Sequence, residues 1–311
     1  MVVPARNRAA IIEPCLDHLA VAAAAVARQG HAVELIVVDD ASTDDTWERV
    51  QAFARRQPAL AIRPLRLSER GGPARARNAA IQAAGGELVV FVDSDVLVVP
   101  SFLEAHLDAH RRYGPRSLVL GVLRTVPSPQ AASSRPRGSI WDLSTSPLDT
   151  ANASVRREHL VRAGLFDESF GEWGWEDIDL GLRLQRCGLR RHRARGAVGY
   201  HVKPPVTAPE QLERLLEKER ERSRSATYFL AKHPGLLARL AVQQTAAHRA
   251  LNWLCRMGGR VRADNVLAWM QRGQALGLPG LSRLWLSGVL THEYLASLDL
   301  RLPGGAQQAR D

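Results

Sequence analysis

The amino-acid sequence predicts an α/β protein: a doubly wound, mostly parallel sheet flanked by helices, with a helical region after it. Three observations predict it. The runs Glu34–Val38 and Leu88–Val92 are short, apolar and rich in β-branched residues, the pattern of strands buried on both faces. Segments with helical spacing alternate with such runs and are punctuated by Gly or Pro. Both strands end on acids, Asp39-Asp40 after one and Asp93-Ser94-Asp95 after the other. Open α/β sheets bind ligands outside the carboxyl ends of their strands.

In chain order, Met1–Val3 reads as a short first strand closed by Pro4-Ala5-Arg6-Asn7-Arg8. Ile11 to Gln29 reads as an alanine-rich helix stopped at Gly30. After Asp39-Asp40, Ser42 and Asp45 have capping-box spacing for a helix that runs to about Gln57. Ser42 and Asp44 suffice as cap residues, whereas two adjacent acids exceed what a cap needs. Ala61 to Leu67 reads as an edge-like strand, since it contains Pro64. Arg70-Gly71-Gly72-Pro73 opens a helix to Ala84 that carries Arg75, Arg77 and Asn78 on its first turns. Pro100 to Arg112 reads as a helix and Ser117 to Arg124 as a strand. Residues 125–150 lack periodicity and are expected to form a long functional loop anchored by Trp141 and Asp142. A helix follows, ending at Gly164, then one from Glu176 to about Cys187, and a last strand ending at Tyr200-His201. Pro204-Pro205 marks a boundary between 1–203 and a helical region, 204–311.

Composition sets the partners. The chain has 311 residues, a net charge of +10 and a pI near 10.4, which calls for an anionic partner: phosphorylated substrate, acidic membrane surface or nucleic acid. No zinc-finger spacing or RNP-like motif supports nucleic acid. Cys15, Cys187 and Cys255 are far apart and match no metal or disulfide pattern, as expected in a reducing, cytoplasmic setting. No run approaches the length of a membrane span, and no leader is evident.

The residues that carry chemistry are oxygen donors and arginines. Asp93 and Asp95 could serve one hard cation, Mg²⁺ or Mn²⁺. Arginines at a glycine-rich helix start could cradle a diphosphate. Trp173-Gly174-Trp175 could stack on a sugar ring beside Glu176-Asp177, although acids in a first helical turn also have a purely structural use.

Taken together, Val37-Val38-Asp39-Asp40-Ala41-Ser42-Thr43-Asp44, Arg70-Gly71-Gly72-Pro73-Ala74-Arg75-Ala76-Arg77-Asn78, Asp93-Ser94-Asp95, Gly164-Leu165-Phe166-Asp167-Glu168 and Trp173-Gly174-Trp175-Glu176-Asp177-Ile178-Asp179-Leu180 resemble the family 2 glycosyltransferases over residues 1–203. The last segment is also similar to the C-terminal motif of the galactosyltransferase and polypeptide N-acetylgalactosaminyltransferase families. The resemblance implies a GT-A, Rossmann-like fold and transfer of a sugar from a nucleotide-sugar donor, a UDP-sugar, to an acceptor hydroxyl. By that resemblance Pro4, Arg6, Asn7 and Asp40 line the nucleobase pocket with Asp39 beside it. Asp93 and Ser94 meet the donor, and Asp95 with His201 and Asp93 holds Mn²⁺ or Mg²⁺. Arg75, Arg77 and Asn78 face the diphosphate. Asp177 is the general base with Glu176 orienting the acceptor, and Asn152, Trp173, Gly174 and Trp175 meet the acceptor. The Q-x-x-R-W motif of processive synthases is absent, so single transfer is expected; a lone carboxylate base for the acceptor matches an inverting reaction. A binding protein without catalysis and a nucleotidyltransferase are the alternatives.

From Leu236 onward only amphipathic patterns remain. Their tryptophans either pack on the catalytic domain or meet an anionic membrane, which a saccharide, lipid-linked or other hydroxyl acceptor would make useful. Packing buries the tryptophans; docking exposes them.

Overall fold

The computed structural model describes residues 1–132, 146–171 and 174–299. Trp141, Asp142 and Trp173 lie outside the described residues. These residues form two compact units, one holding 1–171 and 176–204, the other 174–175 and 205–299.

The first unit is built on an eight-stranded sheet. Its elements in chain order are β1 (Val2–Ala5), α1 (Ile12–Ala27), β2 (Glu34–Asp39), α2 (Thr46–Arg56), β3 (Ala61–Arg66), α3 (Gly72–Ala83), β4 (Leu88–Val92), β5 (Val96–Val98), α4 (Phe102–Tyr113), β6 (Ser117–Val126), β7 (Asn152–Arg156), α5 (Arg157–Arg162), α6 (Glu176–Arg186) and β8 (Arg190–Val202). The strand order is β3-β2-β1-β4-β7-β6-β8-β5. β3, β2, β1 and β4 run parallel, β7 is antiparallel to β4 and β6, and β5 is antiparallel to β8. Apolar residues alternate between the two faces. Leu35 and Val37 pack with α1, α2 and α4, while Ile36, Val38 and Phe91 pack with α3 and α6. The uninterrupted apolar runs follow directly from this double burial.

The sheet departs from the sequence reading in its antiparallel half. β5 and β7 are strands the sequence does not announce, and β8 begins eleven residues before His201 (Arg190 to His201). The start predicted for α2 also changes. Asp45 is its N-cap residue and makes no cap bond with its own side chain; Asp44 Oδ1 accepts from Thr46 N at 3.0 Å, while Ser42 Oγ accepts from Asn7 N at 3.0 Å.

A buried polar chain locks the antiparallel half. Asn152 Nδ2 donates to Val122 O and Ala197 O, at 3.1 and 2.9 Å, and its Oδ1 lies 3.0 Å from His106 Nε2. Ser154 Oγ sits 2.9 Å from both His106 Nδ1 and His110 Nε2. Burial pushes both imidazoles down to about 4, so they stay neutral. Gly121 makes the room, since a Cβ there would fall 2.1 Å from Asn152 Oδ1.

The second unit consists of α7 (Pro209–Lys232), α8 (Leu236–Ala241), α9 (Ala246–Cys255), α10 (Val266–Ala275) and α11 (Pro279–Asp299). Leu212, Leu216, Val261, Val266, Met270, Trp285 and Val289 form its core. Trp285 is buried and meets Trp269 edge-on, whereas Trp253 is 58% exposed. The choice between packed and exposed tryptophans therefore resolves differently for different helices. Among the described residues no helix is long and apolar enough to cross a membrane.

Candidate active site

The carboxyl ends of β1, β2 and β4 form one edge of the first unit. β1 pairs with β2 along its length, Val2↔Ile36 through Ala5↔Asp39, but with β4 only at Val2↔Phe91. The chain order reverses between β1 and β4, which makes their diverging ends the topological switch point of the sheet.

On the β1–β2 side, hydrogen bonds hold the loops in place. Arg6 Nη1 donates to Asp40 O and Ala41 O at 2.6 and 3.0 Å. Asn7 Oδ1 accepts from Thr43 N at 2.9 Å. Asn7 and Ala41 both take positive φ, 50° and 49°, a conformation that costs non-glycine residues energy and marks functional loops. Asp40 is buried and accepts from Gly71 N at 2.7 Å and Gly72 N at 3.1 Å. It anchors the start of α3. Asp39 is fully buried. Its Oδ2 accepts from Ser42 N and Arg66 Nε at 3.3 and 3.2 Å, while its Oδ1 has no donor. Pro4 is half-buried opposite Val38.

On the β4 side the site is crowded with carboxylates. Ser94 is buried between its acidic neighbours. The β5–β8 pairing sets Val96 against His201 and so brings Asp95 Oδ1 within 3.2 Å of His201 Nε2, with Arg8 Nη2 3.4 Å from Asp95 Oδ2. Burial works to raise Asp95, but the hydrogen bond and charge of His201, aided by Arg8 and Lys203, outweigh it and hold the carboxyl below its ordinary value. The donor set of Asp95 and His201, with Asp93 close in sequence, fits a divalent cation completed by phosphate oxygens. Among the described residues no three His, Cys, Asp or Glu side chains converge as a preformed metal site.

Arg77 links this side to α6. The residue is 5% exposed. Nη2 meets Asp93 Oδ1 at 3.0 Å and Nη1 meets Glu176 Oε1 at 2.9 Å. Burial alone would lower its proton affinity, yet Asp93, Glu176 and Asp177 raise it above the ordinary value. Asp177, next along α6, has no ion-pair partner among the described residues and accepts only from Ile178 N, at 2.7 Å. Burial, then the neighbouring Glu176 charge, push it up to about 8, with Asp149 adding to the rise and Arg77 opposing it. Asp149 is itself raised, by burial first and then by Asp93.

Several sequence expectations are corrected by these partners. Asn152 has its amide fully engaged inside the sheet and cannot meet an acceptor. Asn78 donates to Phe166 O and Glu168 Oε1 and accepts from Phe166 N, so it fixes the turn before α6 rather than a diphosphate. Arg75 lies outside the cluster, half-buried and paired with Glu69 at 3.0 Å. Trp175 belongs to the helical unit. It is buried, donates from Nε1 to Arg222 O and packs on Phe229, so it offers no free stacking face; Gly174 beside it takes φ +84° against Arg222. Sequence reasoning left out Arg8, Lys203 and Asp149. Arg8 stood in the quoted first-strand turn and could have been found there, but nothing local distinguishes Asp149.

An open sheet with acids along its switch-point edge, closed on one side by antiparallel strands, is the GT-A plan. The family model "Glycosyl transferase family 2" matches residues 1–155, and through them the chain belongs to that family. Validoxylamine A glucosyltransferase of Streptomyces hygroscopicus subsp. jinggangensis is 29% identical over 279 residues, spanning 77% of this chain and 62% of that protein. Escherichia coli chondroitin synthase is 27% identical over 247 residues, 66% of this chain and 34% of the synthase. The chain thus spans less than two thirds of the length of these curated relatives. Among solved structures, the mannosyltransferase PcManGT of Pyrobaculum calidifontis, in complex with GDP-Man and Mn²⁺, superposes with a TM-score of 0.62 at 21% identity, covering 96% of this chain and 85% of its own. GalNAc-T7 with UDP, GalNAc and Mn²⁺ gives a TM-score of 0.54 at 14% identity, over 73% and 47% of the chains. Both share the fold.

Proposed function

We propose that this chain transfers one sugar at a time from a nucleotide-sugar donor to an acceptor hydroxyl, with inversion, and that Asp177 is the general base. The observation that carries the reading is Asp177 itself. Of two adjacent carboxylates at the start of α6, Glu176 is ion-paired with Arg77, while Asp177 has no ion-pair partner among the described residues and a proton affinity lifted toward neutrality. A base so tuned takes a hydroxyl proton effectively near neutral pH. The acceptor oxygen then attacks the anomeric carbon from the face opposite the leaving diphosphate.

The donor reading rests on the other side of the site. Asp39 Oδ1 is a buried acceptor lacking a donor, a costly state that a ligand N–H relieves. The ring N–H of uracil or guanine supplies one; adenine and cytosine present an acceptor there. We favour the UDP-sugar, with Pro4, Arg6 and Asn7 shaping the base pocket. Asp95 and His201, with Asp93, would hold Mn²⁺ or Mg²⁺, which when bound offsets the charge that builds on the departing diphosphate. Arg8 and Lys203, on the same side, add positive charge there. Release of nucleoside diphosphate on adding acceptor tests the reading, while pyrophosphate release would point to nucleotidyl transfer and no release to a binding protein.

For partners, α8 and α9 bear on a lipid-linked acceptor and peripheral contact with the cytoplasmic membrane face. Leu236, Leu240, Leu251, Trp253, Leu254 and Met257 are exposed on or beside these helices, and residues 233–263 contain five arginines and no acid. Arg256 is buried and Arg262 pairs with Asp264, so Arg239, Arg249 and Arg260 carry the positive charge beside this apolar surface, a combination that suits anionic lipid. A second copy would set arginine against arginine. The test is salt-sensitive sedimentation with anionic vesicles, lost in Trp253→Ser and absent with neutral vesicles; equal sedimentation with both lipids, or none at low salt, overturns it.

A further inference from the structure

The Asp93–Arg77–Glu176 bridge spans a long sequence interval and is buried at both guanidinium nitrogens. Arg77 lies on α3, Asp93 directly follows β4 and Glu176 starts α6. The neighbouring residue on α3, Asn78, grips the Phe166 backbone at both its amide and its carbonyl, and the Arg77 guanidinium lies 5.7 Å from the Phe166 ring centroid. Consecutive α3 residues therefore hold the turn that leads to α6 and the first residue of α6. The Arg77 Nε is buried with no acceptor, so water does not solvate this cation; the two carboxylates do.

We propose that Arg77 is a positioning residue that joins the donor and acceptor halves of the site, fixing the start of α6 against the end of β4 and offsetting part of the Glu176 charge that acts on Asp177. The inference rests on the reading of Asp177 as the base. Among the described residues, the charged groups facing Asp177 are Glu176 on its own helix, Arg77 from α3 and Asp149 from the segment before β7. Only one of the three is positive. Without Arg77, two negative neighbours remain and Asp177 holds its proton more tightly; without the Glu176 charge, it releases the proton more readily. Donor-side and acceptor-side chemistry thus share one guanidinium. A change at the Asp93 carboxylate also redistributes the charge that Arg77 presents to Glu176.

The experiment is the pH dependence of nucleoside diphosphate release by the wild-type protein, Glu176→Gln, Arg77→Met and Arg77→Lys. Glu176→Gln keeps the size and a hydrogen bond to Arg77 while removing the charge. It should move the acid limb of the profile down by about 1–3 pH units. Arg77→Met should move the limb up, and Arg77→Lys should leave it nearer the wild-type position with a lower plateau, because an ammonium cannot span both carboxylates in fork geometry. A merely structural role would lower the plateaus without moving any limb. A limb that stays fixed in Glu176→Gln overturns the inference whether or not Arg77→Met folds. If the wild-type protein releases no nucleoside diphosphate from any donor and acceptor, the functional reading fails instead, so the two failures are distinguishable.

Discussion

The two sides of the switch-point edge are built on opposite principles. At the ends of β1 and β2, loop groups are tied down: Arg6 to two carbonyls, Asp40 to two glycine amides, Asn7 to Thr43. At the end of β4 and the start of α6, like charges are packed together, and Asp93, Asp149, Glu176 and Asp177 share too few cations. One side is a finished cradle with a single unmet acceptor on Asp39. The other holds electrostatic tension that a cation and a substrate proton can relieve. In the proposed function, binding falls to the satisfied side and chemistry to the strained side, since perturbed carboxyls gather at functional sites.

Substitutions on the strained side should have the largest consequences. Asp95→Ala should abolish cation-dependent binding of UDP by calorimetry while weak cation-free binding persists; identical binding in EDTA would remove the metal from the account. Next comes pH. Asp177 must lose its proton to act, so transfer should fall about tenfold for each pH unit below about 8 and level off above it. A flat profile from pH 6 to 9 would break the assignment. The same group predicts a stability effect. Its folded-state proton affinity is raised above the unfolded value, so stability is full below the unfolded value and falls as pH rises toward about 8. Asp177→Asn lacks that loss, and its melting temperature should exceed the wild-type value by a margin that widens from pH 5 to pH 8. Equal margins would mean the carboxyl is not strained. The smallest functional effect should come from within the satisfied framework. Asn152→Ala takes the amide donor from two buried carbonyls and the partner from His106 Nε2 and should cost about 1–3 kcal/mol of stability, read by urea titration, with UDP affinity unchanged.

Much of this contrast was legible in the sequence, but unevenly. Strands buried on both faces advertise themselves, so β2 and β4 and the acids at their ends could be read directly. β7 could not: Asn152-Ala153-Ser154-Val155-Arg156 is half polar, and its polar side chains are satisfied by His106 and His110, residues of another element. β5 is too short to show a period. Aspartates next to a strand end read alike, yet Asp40 turned out to be an amide anchor and Asp39 the residue with an oxygen to spare. Arg77 pairs with a carboxylate 99 positions away, which no local spacing encodes. Asp149 sits in a stretch without periodicity, and only its proximity to Asp93 and Asp177 gives it meaning.

The most direct measurement compares wild-type protein and Asp177→Asn for acceptor-dependent nucleoside diphosphate release in Mn²⁺, with UDP binding measured on the same samples. The account predicts that the variant binds UDP as the wild type does, loses about 10²–10⁴ in transfer rate, and that the wild-type product has the anomeric configuration opposite to the donor by NMR. A variant that transfers at the wild-type rate, or a wild-type product with the donor's configuration, would contradict it.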